Sequence, residues 1–243
     1  MRLKDLIFSF IPLLVTCQEG KDTEIWGPIP EEVYTISDSE PPTDAIILFD
    51  GSDLSKWKAK WSESETKWQI NNDGSVSVVN DGSGGIETLE NFGSVQLHIE
   101  WKTSEDTSHQ NQDRSNSGVF LQGIYEIQIL DSYKSSTYVN GQAGSVYKQY
   151  IPLVNASRKP GEWQSYDIIF DAPDFDSDGK KIKSGYFTVF HNGVLIHNHV
   201  EILGTTENVG PPKEISHGDG PIYLQYHCCS QVSFRNIWVR ELK

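Results

Sequence analysis

Apolar and polar residues alternate in short runs along most of the chain, and no stretch sustains a 3.6-residue period through three turns. Side chains two apart share one face of a strand, so this alternation predicts half-buried β-strands and little helix. In Leu97-His-Ile-Glu-Trp-Lys102 the odd positions are apolar while His98, Glu100 and Lys102 face the other way. In Tyr125-Glu-Ile-Gln-Ile129 the polar face carries Glu126 and Gln128. In Ile222-Tyr-Leu-Gln-Tyr-His227 it carries Tyr223, Gln225 and His227. Tyr186–His191, Asn192-Gly193 and Val194–Val200 read as a hairpin, because Asn-Gly tolerates the positive φ angles of a type I′ turn. Asp73-Gly74 and Asp81-Gly82 bracket another expected strand, 76–79. Strands at this spacing predict an all-β, two-sheet antiparallel sandwich.

The 243 residues suit one such domain with an appendage. The chain begins with Arg2 and Lys4, followed by an apolar run from Leu6 to Val15 that has the length of a secretory signal core and is too short to span a bilayer. Leu14-Val-Thr-Cys17 resembles a bacterial lipobox, in which Cys17 would carry the lipid, although Thr16 stands where Gly, Ala or Ser is usual. Residues 1–17 are thus expected to be a lipoprotein-type signal peptide directing the protein to the cell envelope. Residues 18–45, with Pro28, Pro30, Pro41 and Pro42 among acids and hydroxyls, read as a flexible linker. The domain itself is expected over 46–243.

Charge narrows the function classes. Twenty Lys and Arg against 34 Asp and Glu give a net charge of −14, which repels nucleic acid and anionic lipid headgroups, so the only membrane contact expected is through the N-terminal lipid. The adjacent Cys228 and Cys229 read as two thiols, because neighbouring Cα atoms are too close for an unstrained disulfide. Asp174-x-Asp-x-Asp178-Gly179 opens like a calcium loop, but its twelfth position is Gly185 and brings no bidentate carboxylate. No metal site and no cofactor are predicted, with a divalent cation left open.

If the three polar strand faces line one curved sheet, they assemble carboxylates, amides, an imidazole and a ring into a platform for hydroxyl-rich ligands. The plainer reading is that these residues are only solvated.

The motifs Leu48-Phe-Asp-Gly51, Arg114-Ser-Asn-Ser-Gly118, Tyr125-Glu-Ile-Gln-Ile-Leu-Asp-Ser-Tyr133, Gly141-Gln-Ala-Gly-Ser-Val-Tyr147, Lys159-Pro-Gly-Glu-Trp163 and Phe234-Arg-Asn-Ile-Trp238 occur in order from about residue 46 to the end. In these the chain resembles the 3-keto-disaccharide hydrolase family. The resemblance implies a concanavalin A-like jelly roll and cleavage of glycosides already oxidised to a ketone at C3. It also implies roles for particular residues. Glu126, His227 and Glu100 are the expected catalytic proton carriers, with a salt bridge to Lys102 or Arg114 as the other reading of Glu100. Gln128, Gln225, Asn116 and Arg114 would bind substrate hydroxyls or an enolate, unless Asn116-Ser-Gly118 is a structural turn. Arg235 and Asn236 would tie the last strand to its neighbours, and Trp57, Trp163 and Trp238 would be core residues. Relatives often read Asp-His-Gly-Asn where this chain has Tyr226-His-Cys-Cys229, so an acid and a glycine are lost beside the histidine. The partner is a carbohydrate in either case: an oxidised substrate for a hydrolase or lyase, or a glycan bound by a non-catalytic module on the same scaffold.

Overall fold

A computed structural model describes residues 23–35, 40–61, 66–79, 84–227 and 231–242. Cys17 and its lipobox, the Asp81-Gly82 turn and the Cys228-Cys229 pair lie outside the described residues. Residues 1–34 form one unit and residues 35–243 another. The described part of the first, 23–34, contains neither helix nor strand.

In the second unit the described strands begin with β1 (Ile46–Phe49), β2 (Trp57–Ala59), β3 (Gln69–Ile70), β4 (Val76–Ser77) and β5 (Ile86–Phe92). Next come β6 (Val95–Thr103), β7 (Ser117–Leu121), β8 (Tyr125–Ile129), β9 (Gln164–Asp171) and β10 (Asp174–Phe175). The remainder are β11 (Lys181–Lys183), β12 (Tyr186–His191), β13 (Val194–Glu201), β14 (Gly220–Leu224) and β15 (Val232–Glu241). The larger sheet runs β13-β12-β9-β6-β15-β4-β3, with β1 also on β15, and the smaller runs β2-β5-β14-β7-β8. Their pairings are antiparallel. The architecture is the expected all-β sandwich.

Alternation explains why two layers form. On β6 the residues Val95, Leu97, Ile99 and Trp101 are fully buried and meet Tyr166, Ile168 and Phe170 of β9 and Phe187 and Val189 of β12 in one core. The smaller sheet answers with Val119, Leu121, Ile127, Ile129, Ile222 and Leu224. Each such aliphatic side chain contributes roughly 1.5–3 kcal/mol on leaving water, enough to fix which face of each strand points inward. The Asn192-Gly193 turn has φ of 52° and 76°, as a type I′ hairpin requires.

Three expectations are corrected. His98 and Glu100 do face outward, but β6 belongs to the larger sheet, so the polar platform is built from two of the three strands. Ser117 and Gly118 are strand residues, not a turn. Trp57 and Trp238 are buried, whereas Trp163 is half-buried on the outer face of the larger sheet, with the Arg235 guanidinium 4.1 Å and Lys102 Nζ 4.7 Å from its ring centre. The Asp174–Gly179 stretch is a hairpin turn in which Asp176 Oδ1 accepts from the Asp178 and Lys180 amides at 3.0 and 2.9 Å.

Candidate active site

The site is built on the outer face of the smaller sheet, where β14, β7 and β8 lie side by side. Gln122 and Gly123, with φ of 51° and 72°, turn β7 back into β8, and the resulting register sets Phe120 opposite Glu126 and Gly118 opposite Gln128. On the other flank Tyr223 pairs with Phe120, and the Gln225 amide donates to the Gly118 carbonyl at 2.9 Å. Cross-strand neighbours on one face touch, so two rows form across the sheet: Glu126, Phe120, Tyr223 and, beside it, Gln128, Gly118, Gln225. Gly118 leaves the centre of the second row without a side chain.

β8 sits at the end of the sheet, and its edge is covered by its own downstream chain. The Gln128 amide donates to the Ser145 carbonyl at 3.0 Å, and the Tyr147 amide donates to the Glu126 carbonyl at 3.2 Å. The Glu126 amide donates to Thr206 Oγ1 at 3.0 Å, while the Thr206 amide donates to the Ile124 carbonyl at 2.8 Å. These two loops rise as walls around the rows and enclose a cavity of about 300 Å³ lined by Asn116, Phe120, Glu126, Gln128, Tyr147, Thr206, Asn208, Gln225 and His227. A space of this size suits a small ligand, and its few polar groups among rings can fix a sugar by hydroxyls and faces.

The Glu126 carboxyl is 3% exposed, and burial pushes its pKa up to about 8, with the nearby Lys148 ammonium pulling the other way. One edge of the Gln128 amide lies 3.0 Å from Glu126 Oε1 and 2.9 Å from the Ser117 carbonyl. Two acceptors there call for a donor, so the amide nitrogen belongs on that side, where it favours the charged carboxylate. Tyr147 and Tyr138 share a hydrogen bond of 2.5 Å between their hydroxyls. Burial, that bond and the Glu126 charge raise the Tyr147 pKa and keep its phenol protonated. Lys148 Nζ lies 5.1 Å from the Tyr147 ring centre and 5.6 Å from that of Tyr138, and it donates to the Asn208 carbonyl and, at 3.2 Å, to Asn208 Oδ1. The lysine therefore ties the two walls together beside the carboxylate. Such a cavity holds a proton acceptor with a tuned pKa, an imidazole and several neutral donors, the components of general acid–base chemistry.

Of the seven residues expected at the site, the structure brings together Glu126, His227, Gln128, Gln225 and Asn116. It does not bring Glu100 or Arg114. Glu100 accepts from Arg235 Nε at 2.6 Å and Asn236 Nδ2 at 3.0 Å on the larger sheet, so its salt-bridge partner is neither Lys102 nor Arg114. Arg114 Nε donates to the buried Asp131 at 2.7 Å. Phe120, Tyr147, Thr206 and Asn208 were not anticipated. Phe120 was legible as the polar-face partner of Glu126 only once register was known, and Tyr147 stands in a family-like motif without an evident role. Nothing in the Thr205–Asn208 loop marks it. Among the described residues no three His, Cys, Asp or Glu side chains converge as a metal site requires.

A family model described as a 3-keto-alpha-glucoside-1,2-lyase-like domain matches residues 44–240. A crystal structure of a provisionally named glycosyl hydrolase from Parabacteroides distasonis ATCC 8503 is 47% identical, with a TM-score of 0.87 over 92% of this chain and 97% of its own. Two further provisionally named glycosyl hydrolases from the same organism share the fold. One has a TM-score of 0.59 and 20% identity over 82% of this chain and 94% of its own. The other has a TM-score of 0.56 and 22% identity over 82% and 99%. A search of curated proteins finds no match.

Proposed function

We propose, on the premise that this chain belongs to the 3-keto-alpha-glucoside-1,2-lyase-like family, that its cavity cleaves the glycosidic bond of a sugar oxidised to a ketone at C3. The observation that supports this reading most is Glu126: a buried carboxyl with pKa raised to about 8, on the floor of a polar cavity. A ketone at C3 acidifies the hydrogen on C2, so a carboxylate of that basicity can remove it. The electron pair left on C2 is delocalised into the C3 carbonyl as an enolate. The Gln225 amide and the Tyr147 phenol, which line the cavity, supply neutral donors for the enolate oxygen, while the Gln128 amide orients the Glu126 carboxylate. The enolate then re-forms the carbonyl and expels the glycosidic oxygen from C1, which takes its proton from His227. The products are a 3-keto-1,2-unsaturated sugar and the released alcohol, and addition of water across the double bond gives net hydrolysis. Separate acid and base groups suffice here, and the paired carboxylates of ordinary glycosidases are not required.

The leader expected at residues 1–17 would deliver the enzyme to the cell envelope, where polysaccharide fragments are met. The test is incubation of purified protein with a 3-keto disaccharide, reading released sugar and enone absorbance. Turnover supports the enzyme. Saturable binding without turnover favours the non-catalytic module on the same scaffold.

A further inference from the structure

Arg114, which does not line the cavity, lines a second hollow. This hollow is about 280 Å³ and is formed by Arg114, Lys134, His109 and five hydroxyl or amide residues, with no Asp or Glu in its lining. In a chain of net charge −14 that is an unusual local composition. Two carboxylates bear on the group without lining it: Asp131 is bound to Arg114 Nε, and Asp106 interacts with His109 while accepting from the Ser108 amide. Lys134 Nζ stands 5.5 Å from the Tyr133 ring centre.

The backbone around the hollow is held in an unfavourable form. Asn111 and Lys134 line it with φ of 53° and 49°, and Ser115, next to Arg114, has φ of 52°. Left-handed conformations are uncommon for residues such as Lys and Ser, less so for Asn, and gather at ligand clamps. Gln112 links the hollow to the cavity: its neighbour Asn111 lines the first, and Asn116, which it bonds, lines the second. Gln112 donates to Thr137 Oγ1 at 2.7 Å on one side, and on the other its Oε1 accepts from Asn116 Nδ2 at 3.3 Å. Arg114 lines the hollow and Asn116, two residues on, lines the cavity, so one glycan can reach both.

We propose that this hollow binds the carboxylate or sulfate of an acidic sugar, so that the substrate is a charged glycan with its oxidised ring in the cavity and an anionic unit beside it. The guanidinium fork and the ammonium supply charge, and the surrounding hydroxyls and amides supply donors, the pattern that fixes planar or tetrahedral oxyanions. The proposal rests on the proposed function for the oxidised ring in the cavity, and the anion site itself does not.

The test is calorimetric binding of methyl glucuronide, glucose 6-sulfate, inorganic sulfate and neutral methyl glucoside to the full chain and to Lys134→Glu. The expected result is that at least one acidic sugar binds roughly tenfold or more tightly than the neutral glycoside, in keeping with charge-assisted hydrogen bonds, and that Lys134→Glu removes the preference. Preference for the glucuronide assigns a uronate, preference for the sulfated sugar assigns a sulfate ester, and competition by inorganic sulfate confirms an oxyanion site. Binding of these sugars is read without turnover and without a 3-keto substrate, which separates it from the fate of the catalytic reading. Equal affinities for neutral and acidic sugars, or an acidic preference untouched by Lys134→Glu, would overturn the proposal.

Discussion

Gly118 and Glu126 occupy the same space: a Cβ at position 118 would stand 2.3 Å from Glu126 Oε1 and 2.9 Å from its carboxyl carbon. The requirement is spatial, since Gly118 shows no positive φ. Gly118→Ala is therefore expected to push the carboxylate off the cavity floor. A displacement of about 1 Å is worth roughly 100-fold in rate. The check is kcat for Gly118→Ala beside a melting curve: a fall in kcat of that order in a protein that still folds cooperatively meets the expectation.

Glu126→Gln tests both activity and stability. As a base the residue must be ionised, so kcat/KM is expected to rise with pH up to about 8. Replacement by Gln should lower turnover at least about 100-fold at about pH 8, with the gap narrowing as pH falls and the parent carboxylate takes up its proton. The stability sign is opposite. With a folded pKa raised above its unfolded value, Glu126 holds its proton longer in the native state, so its relative stability is present below about 4.5 and lost as pH rises toward about 8. Glu126→Gln is thus expected to melt higher than the parent at pH 8, with the gap closing below pH about 4.5, as thermal denaturation across that range would show.

Lys148 is a positioning residue for the carboxylate. Its ammonium lowers the Glu126 pKa while holding Tyr147 and Asn208. In Lys148→Gln the rising limb of kcat/KM should move to higher pH, an effect that a merely loosened wall would not produce. Tyr147→Phe, which removes one donor and the bond to Tyr138, is expected to lower kcat roughly 100-fold without moving that limb.

On the opposite sheet Glu100→Gln should leave turnover untouched and lower stability by about 1 kcal/mol once solvent screening is allowed for. Despite the opposing cost of burial, its bonds to His98, Asn236 and Arg235 hold the Glu100 pKa at about 2, and its stability contribution is present above about 4.5 and lost as pH falls through about 2. His98 bonds Asp167 at 2.6 Å and has its pKa raised to about 9 by the two carboxylates in spite of burial, so its contribution is full below about 6.5 and lost as pH rises through about 9. Urea unfolding of Glu100→Gln and of the parent at pH 3, 7 and 10 reads both.

Strand content, the Asn192-Gly193 hairpin and the inward faces of β6, β8 and β14 were legible because alternation and turn chemistry are local. Which strands share a sheet was not, since pairing depends on contacts far apart in sequence. His98-x-Glu100 and Glu126-x-Gln128 have the same period, and only topology sends the first pair to the wrong side of the sandwich for a common site. Glu100 looked catalytic for that reason. Arg114 sits two residues before Asn116 in one motif, yet the buried Asp131 takes its guanidinium away from the cavity. Tyr147, Thr206 and Asn208 enter through loops that cover the β8 edge, and no periodicity marks a residue whose role is to close a wall.

The most direct test of the central claim is proton removal at C2. The purified protein is given a 3-keto disaccharide carrying deuterium or hydrogen at C2 of the oxidised ring, and release of the second sugar is timed for the parent and for Glu126→Gln. The account predicts release by the parent with a slower rate for the deuterated substrate, and at least about 100-fold less release by the variant. Release at equal rates from parent and variant would contradict it.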